Sequence, residues 1–488
     1  MGARLLALCL LMLAPLAAPR ATRADGVPRE RSAQRIYSRA KTTWIWPKPR
    51  ATTSPLGYVR VGESVRLKSP AKTPGPGCAE GWYAVEPRGY VCAGRTSTLD
   101  ANDRAVRAVQ LLRTRDALLP FSYALSNGSP MYSRLPSREE WLREERWLGE
   151  PGTFRPQSWG NRGHERLAEA RTVARDSDVP WFLKEGDSAG AASREDLVRR
   201  MIPHGSMLAY TRVFEHRGRK FALSSDGTVV PADRVRPYRE SKFRGTELGR
   251  GVDLPVAFVR QKPRPRWRRT ADGDLVAAGE WLPRTLVAIS PQSAIVERGG
   301  RRYFETRERT SDGITLFIRD DDATLVTRRD GAVFGVRKQE KWLIVSITQG
   351  TLVAYEGERP VYTTLISPGA GGVPVAGRDP VKWSTTPLGV FRVGFKHRAA
   401  DMSPEQGNER SFWLAEVPWT QYFQPPFALH TAYWHEDFGE PMSAGCVNLS
   451  PYDGRWLFEW TDPKLPPDWN GVGAGAENGT GTRIVIVR

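Results

Sequence analysis

Ala428-Leu429-His430-Thr431-Ala432-Tyr433-Trp434-His435-Glu436-Asp437-Phe438-Gly439-Glu440-Pro441-Met442-Ser443-Ala444-Gly445-Cys446-Val447-Asn448-Leu449-Ser450 is the stretch around which the chain reads as organised. Two histidines, His430 and His435, precede one cysteine, Cys446, in the small-residue turn Ser443-Ala444-Gly445-Cys446. A thiol attacks a carbonyl carbon as its thiolate, so a cysteine with a histidine in reach is a minimal apparatus for covalent acyl transfer. Gly445 ahead of the thiol permits a tight turn and leaves backbone N–H groups to face a reacting carbonyl oxygen. Buried, inert cysteines are common, so the rest of the chain has to decide between a packing thiol and a nucleophile.

The other cysteines bear on that decision. Cys9 lies in an apolar run, Leu5 to Ala18, preceded by Arg4 and followed by small residues, which is the pattern of an export signal. Residues 1–24 are expected to be removed, with cleavage after Ala24. The run is shorter than the about 20 residues a membrane helix needs, and no other segment reads as transmembrane. The expected location is therefore the periplasm or cell envelope. In an oxidising compartment Cys78 and Cys92, close in sequence and flanked by Gly/Pro turns and aromatic strand residues, are expected to form a disulfide. A metal pair is the alternative, but no histidine or second cysteine pair stands nearby to complete it. Cys446 then remains as the odd thiol beside histidines, which favours use over packing.

The chain has 488 residues, of which 40% are hydrophobic and 26% charged. Those values describe a soluble globular protein of two to four domains. The net charge of +18 makes anionic envelope polymers or lipid surfaces the natural partners. The arginines are scattered and no nucleic-acid motif is present, so no nucleic-acid partner is expected.

Residues 25–105 read as short strands, including Tyr58 to Val61, Ser64 to Leu67, Trp82 to Val85 and Gly89 to Cys92, separated by Gly, Pro and Lys turns. Residues 106–340 form a middle region. Ser137-Arg138-Glu139-Glu140 is a capping box opening a charged helix that ends before Pro151, and Ser193-Arg194-Glu195-Asp196 is expected to open a shorter one. Residues 151–192 read as a polar linker. Strand spacing returns over 205–240 and continues to 338, with turns at Asp272-Gly273, Gly299-Gly300 and Asp312-Gly313. His164, His204 and His216 sit apart without partners at ligand spacing and read as ordinary histidines.

From Lys341 the pattern sharpens. Trp342 to Ile347 and Thr351 to Tyr355 form a hairpin around Gln349-Gly350. Val361 to Ile366, a glycine-rich loop and Thr385 to Val393 follow. Ser450-Pro451-Tyr452-Asp453 starts a helix with Ser at the cap and Pro at the first position. That helix is expected to turn Trp456, Leu457 and Trp460 inward. A final strand runs from Arg483 to Val487. The fold class is mainly β with a few short helices.

Two resemblances enter here. Leu56 to Glu63, Gly81-Trp82-Tyr83 and Gly89-Tyr90-Val91 resemble bacterial SH3-like modules, small barrels often attached to cell-wall enzymes, and residues 205–240 resemble a second unit. Residues 341–488 resemble the L,D-transpeptidase (YkuD-type) catalytic domain. The resemblance is carried in order by Gln349 and Leu352, Ser367-Pro368-Gly369, Thr386-Pro387-Leu388-Gly389, His430, and Ser443-Ala444-Gly445-Cys446-Val447-Asn448. Ordered signals over one segment are far more specific than a lone Cys–His pair.

The resemblance implies Cys446 as nucleophile, His430 as general base and the Thr431 carbonyl as the group orienting the imidazole. It also implies an oxyanion hole from the backbone at Gly445 and Cys446, with Ala444. Ser443, Asn448, Tyr422, Trp434 and His435 are expected at the substrate, and Trp413, Trp419, Tyr422, Tyr433 and Trp434 are candidates for an aromatic lid. No cofactor or metal is expected. The implied reaction opens the bond between diaminopimelate and D-alanine in a peptidoglycan stem tetrapeptide and passes the thioester to an amine.

The family's usual His before the glycine is here Ala444. A backbone oxyanion hole survives that change, whereas a side-chain role is lost or passes to His435, which is also the rival for the base. Asn448 in place of Arg is a family variant. Alternatives in the same fold are a carboxypeptidase that hands the thioester to water, an enzyme that attaches an envelope protein lysine to the wall, and a wall-binding scaffold whose catalysis has lapsed.

Overall fold

The computed structural model describes residues 34–52, 54–153, 164–184, 196–291, 295–402 and 413–488. The expected export signal lies outside the described residues, as do residues 154–163 and 185–192 of the expected linker, whose described part includes the short helix Trp181–Lys184. The second helix expected from Ser193 is corrected: from Val198 the chain is a strand, Val198–His216, whose pairing with Ser122–Tyr132 overrides the local capping signal. The protein is mainly β, as its sequence predicts. Among the described residues no helix is long and apolar enough to cross a membrane.

The catalytic segment is built on two sheets. The first runs in the order Thr246–Glu247, Arg359–Leu365, Thr351–Glu356, Lys341–Ser346, Arg483–Val487, Gly389–Arg392. The second runs Thr42–Ile45, Gly57–Arg60, Gly471–Gly473, Phe395–Ala400, Val417–Gln424, Phe427–Thr431, Val447–Leu449. Leu343 and Val345, alternate residues of one strand, pack with Phe427, Leu429, Val447 and Leu449 of the other sheet and with Leu457 of the helix Pro451–Trp460. This is the core between the layers.

Trp342 and Ile344 point the other way, because successive strand residues face opposite sides. A strand apolar on both faces needs a second cover. Phe243, Leu248, Val256, Phe258 and Val326 of the middle region supply it. The middle region also adds the edge strand Thr246–Glu247, paired to Tyr362 and Thr363.

Helix Pro451–Trp460 starts as its sequence predicts. Ser450 Oγ accepts the Asp453 N–H at 3.1 Å with Pro451 at the first position. The buried Asp453 carboxylate accepts from Tyr362 Oη (2.6 Å), Thr364 Oγ1 (2.6 Å), Ser450 Oγ (2.8 Å) and the Gly245 N–H (2.7 Å). Burial pushes this carboxyl upward while those donors pull it back. Leu457 is buried; Trp456 and Trp460 are partly buried, Trp456 stacking on Tyr362 and on Trp460.

The N-terminal strands are β as expected, and Cys78–Cys92 is a disulfide. Arg35–Ser38, Ser64–Thr73, Trp82–Val85, Tyr90–Cys92 and Ser97–Thr98 form their own five-stranded sheet. Thr42–Ile45 and Gly57–Arg60 leave it to extend the catalytic sheet, where Tyr58 pairs with Gly471. Trp469 and Val472, close to the C-terminus, sit in the same core as Ile36, Val65 and Val85. The first segment is thus fused to the catalytic sheet through shared strands.

In the middle region the capping box at Ser137 and Glu140 is formed and starts helix Arg138–Glu144. Ser122–Tyr132, Val198–His216, Arg219–Ser224, Val229–Pro231 and Val235–Pro237 form a five-stranded sheet. Its residues Tyr123, Met207 and Ala209 pack with Val417, Ala432, Tyr433 and Trp434 of the catalytic segment. The expected turns at Gly273, Gly299-Gly300 and Gly313 join strands of a further sheet spanning Arg264 to Arg319.

Candidate active site

Cys446 is a partly exposed thiol outside the disulfide. It stands immediately before strand Val447–Leu449, which runs parallel to Phe427–Thr431 with Leu429 opposite Val447 and His430 opposite Asn448. The candidate nucleophile and base are therefore carried by adjacent strands of one sheet, although 16 positions apart in sequence. The parallel connection between those strands is the loop Ala432 to Cys446.

His430 is buried, and its Nδ1 donates to the Thr431 carbonyl at 3.2 Å, the orienting contact that the resemblance implied. A carbonyl only accepts, so the proton of the neutral ring sits on Nδ1 and Nε2 keeps its lone pair. Burial pushes the imidazole down to about 4, against the opposing pull of the Thr431 hydrogen bond. Thr431 is itself pressed against the helix: a Cβ at Gly454 would lie 2.0 Å from Thr431 Oγ1. Glycine inside a helix costs about 1 kcal/mol relative to alanine, and here it lets the helix close on the strand that carries the base.

The cysteine turn is held from two sides. Ser443 N–H donates to the Pro368 carbonyl at 3.0 Å, and the Ser443 carbonyl accepts from the Ala370 N–H at 2.7 Å. Ser443 Oγ donates to the Cys446 carbonyl (2.5 Å) and accepts from the Gly445 N–H (3.1 Å). The Gly445 amide, expected to face the oxyanion, is in this state folded back into its own turn. The Ala444 N–H takes no partner among the described residues. Gly445 has φ +122°, and a Cβ there would lie 2.5 Å from Phe427 Cε1 and 3.0 Å from the Thr385 carbonyl oxygen. Conformation and space both demand glycine.

Of the residues expected at the substrate, Tyr422 is partly exposed. Burial raises its hydroxyl to about 12, with the charge of Cys446 adding to the rise. Trp434, Asn448 and Ser443 are buried. His435 corrects the expectation outright: it is wholly buried, with Nδ1 accepting the Asp437 N–H at 3.1 Å and Nε2 lying 3.0 Å from the Asn448 amide. Both ring nitrogens are engaged, so His435 neither presents itself to a substrate nor competes with His430 as base. The aromatic lid candidates Trp419, Tyr433 and Trp434 are core residues, while Trp413 and Tyr422 remain partly exposed.

Sequence reasoning missed a clamp of middle-region side chains on the loop between the base and the nucleophile. Arg239 and Arg284 pair with Glu436 (3.1 and 3.6 Å), Arg166 with Asp437, and Arg260 with Glu440 (3.1 Å). Gln261 Nε2 donates to the Phe438 carbonyl at 2.9 Å. Tyr123 stacks on Tyr433 at 3.8 Å and His164 packs edgewise on Trp434. No motif marks these residues; they are scattered cations and aromatics in a basic chain.

Parallel adjacent strands thus bring together a cysteine on a glycine turn and a histidine whose Nδ1 is held by a neighbouring carbonyl, on a β fold. Residues 340–486 match the YkuD family, L,D-transpeptidase catalytic domain, so the C-terminal part of the chain is a domain of that family, whose members act on peptidoglycan peptides. No curated protein matches the sequence. Among solved structures, the L,D-transpeptidase of Enterococcus faecium aligns at 17% identity over 30% of this chain and 50% of its own, with a TM-score of 0.22. The Xylanimonas cellulosilytica L,D-transpeptidase (residues 123–326) aligns at 24% identity over 32% and 67%, TM-score 0.22, and that of Mycobacterium smegmatis at 14% over 50% and 100%, TM-score 0.23. This chain thus spans half the length of the Enterococcus faecium protein.

Proposed function

We propose that the protein is an exported cysteine L,D-transpeptidase that remodels peptidoglycan in the cell envelope. Cys446 attacks the carbonyl between diaminopimelate and the terminal D-alanine of a stem tetrapeptide while His430 Nε2 takes the thiol proton. The tetrahedral oxyanion is met by backbone N–H groups of the Ala444–Cys446 turn. Collapse expels D-alanine, which takes the proton from His430, and leaves a thioester on Cys446. An amine, such as the diaminopimelate side chain of a neighbouring stem, then attacks the thioester; His430 takes the amine's proton, and the thiol leaves. The observation that carries this reading is the His430 Nδ1 to Thr431 carbonyl contact, which leaves Nε2 unprotonated on a strand paired to the one Cys446 immediately precedes. The basic charge and the N-terminal β segments support placement on an anionic wall polymer.

The test is intact-mass measurement of the chain from residue 25 onward after incubation with a carbapenem, beside Cys446→Ala and His430→Ala. A one-equivalent adduct lost in Cys446→Ala, followed by release of D-alanine from tetrapeptide muropeptides, is the expected result. A folded wild type that stays unmodified and leaves muropeptides intact would refute the assignment.

A further inference from the structure

His435 is buried with no exposed surface, and its Nδ1 accepts a backbone N–H, from Asp437. A backbone amide only donates, so a neutral His435 ring carries its proton on Nε2. Complete burial, with His164, His430 and Arg166 around it, disfavours a second proton. The Nε2–H therefore needs an oxygen opposite it, and the group 3.0 Å away is the Asn448 side-chain amide. With Nδ2 turned to the ring, two donors would face each other and Asn448 Oδ1 would stay buried without a partner. With Oδ1 turned to the ring, both faults disappear.

We propose that His435 is a positioning residue of the acyl-transfer site, an Nε2–H donor to Asn448 Oδ1 that ties the Ala432–Glu440 loop to the strand led by Cys446. This rests on the functional reading above. The tie closes a circuit. The Asn448 backbone exchanges two 2.9 Å hydrogen bonds with Ser367, Ser367 Oγ donates to the Asp437 carbonyl at 2.9 Å, and the Asp437 N–H returns to His435. Asn448 is the residue opposite His430 and lies two positions after Cys446. The circuit therefore sets the register between the strand of the nucleophile and the strand of the base. Arg166 anchors it from the middle region through the Asp437 carboxylate.

The chain has six histidines, so selective ¹⁵N-histidine labelling of the full exported chain resolves the tautomer directly. The His435 ring, assigned by its absence in His435→Gln, is expected to show a protonated Nε2 and a bare Nδ1. Its Nε2–H should exchange slowly between about pH 5 and 8, unlike an ordinary histidine near its own titration. In Asn448→Ala that proton should exchange fast, and carbapenem acylation of Cys446 should slow about tenfold, as expected of a displaced reacting group. Asn448→Asp, which keeps an acceptor oxygen, should retain the slow proton and recover most of the rate. A ring protonated on Nδ1, a charged ring at neutral pH, or an Asn448→Ala protein unchanged in both readouts would overturn the proposal. A wild type with the Nε2–H signal but no acylation would instead remove the acyl-transfer reading and leave the hydrogen-bond circuit in place.

Discussion

His430 and His435 use the same ring atom in opposite senses: Nδ1 of His430 donates to the Thr431 carbonyl, whereas Nδ1 of His435 accepts the Asp437 N–H. Two histidines five positions apart, one on strand Phe427–Thr431 and one in the loop after it, are thereby separated into a ring with a bare Nε2 and a ring whose nitrogens are both taken. Burial brings His430 down to about 4, so its neutral, proton-accepting form persists as pH falls well below the usual histidine range. The rate constant for Cys446 acylation by a carbapenem should stay level on the acid side until near pH 4 and then fall as His430 takes a proton. An acid limb bending near the unperturbed value of about 6.5 would show that His430 is solvated and charged in the working enzyme.

Gly445→Ala should abolish function without unfolding the chain. A Cβ there meets the Phe427 ring and the Thr385 carbonyl, and φ is +122°. The turn must shift, and a displaced thiol loses about a hundredfold or more in rate. Acylation kinetics beside a thermal melt separate the two effects: a melt close to wild type with the rate gone is the expected pair.

Arg60 and Glu416 form a buried two-point ion pair across the seam between the first segment and the catalytic sheet. Glu416 also accepts from Ser225 Oγ at 3.2 Å, and its carbonyl accepts from Tyr123 Oη at 2.7 Å, so this residue joins three parts of the chain. Arg60→Met leaves a buried carboxylate unpaired and should cost about 3–5 kcal/mol, read as a shift in the denaturant midpoint. The double variant Arg60→Met/Glu416→Leu should recover much of that loss.

Residues 341–488 alone should not form a native domain. Removing the rest strips Phe243, Val256 and Phe258 from Trp342 and Ile344, and Tyr123 from Tyr433. It also removes the partners of Trp469 and Val472. The isolated segment should aggregate or lose near-ultraviolet circular dichroism, whereas the chain from residue 25 should keep both solubility and signal. A soluble, acylation-competent fragment would show that the middle region is dispensable for the site.

The local elements were legible wherever periodicity and capping are local properties. Strand Arg483–Val487, the hairpin after Lys341, the helix started by Ser450-Pro451 and the capping box at Ser137 stand within a residue or so of their expected bounds. Cys446 and His430 stood out as candidates because a cysteine on a glycine turn with histidines upstream is visible in residue identity and order, whereas the role of the Thr431 carbonyl came from the resemblance to the L,D-transpeptidase family.

The sequence also marked Trp342 to Ile347 as a strand through its apolar run Trp342, Leu343, Ile344 and Val345. It did not determine what covers the second face of that strand. Only the tertiary structure decided that residues over 240–330 do so, that Thr42–Ile45 and Gly57–Arg60 extend the catalytic sheet, and that His435 turns inward to Asn448. The physical reason is range. Turn, cap and strand preferences are set by neighbours a few positions away, whereas burial, ion pairing and the tautomer of a histidine are set by groups that folding brings from far along the chain.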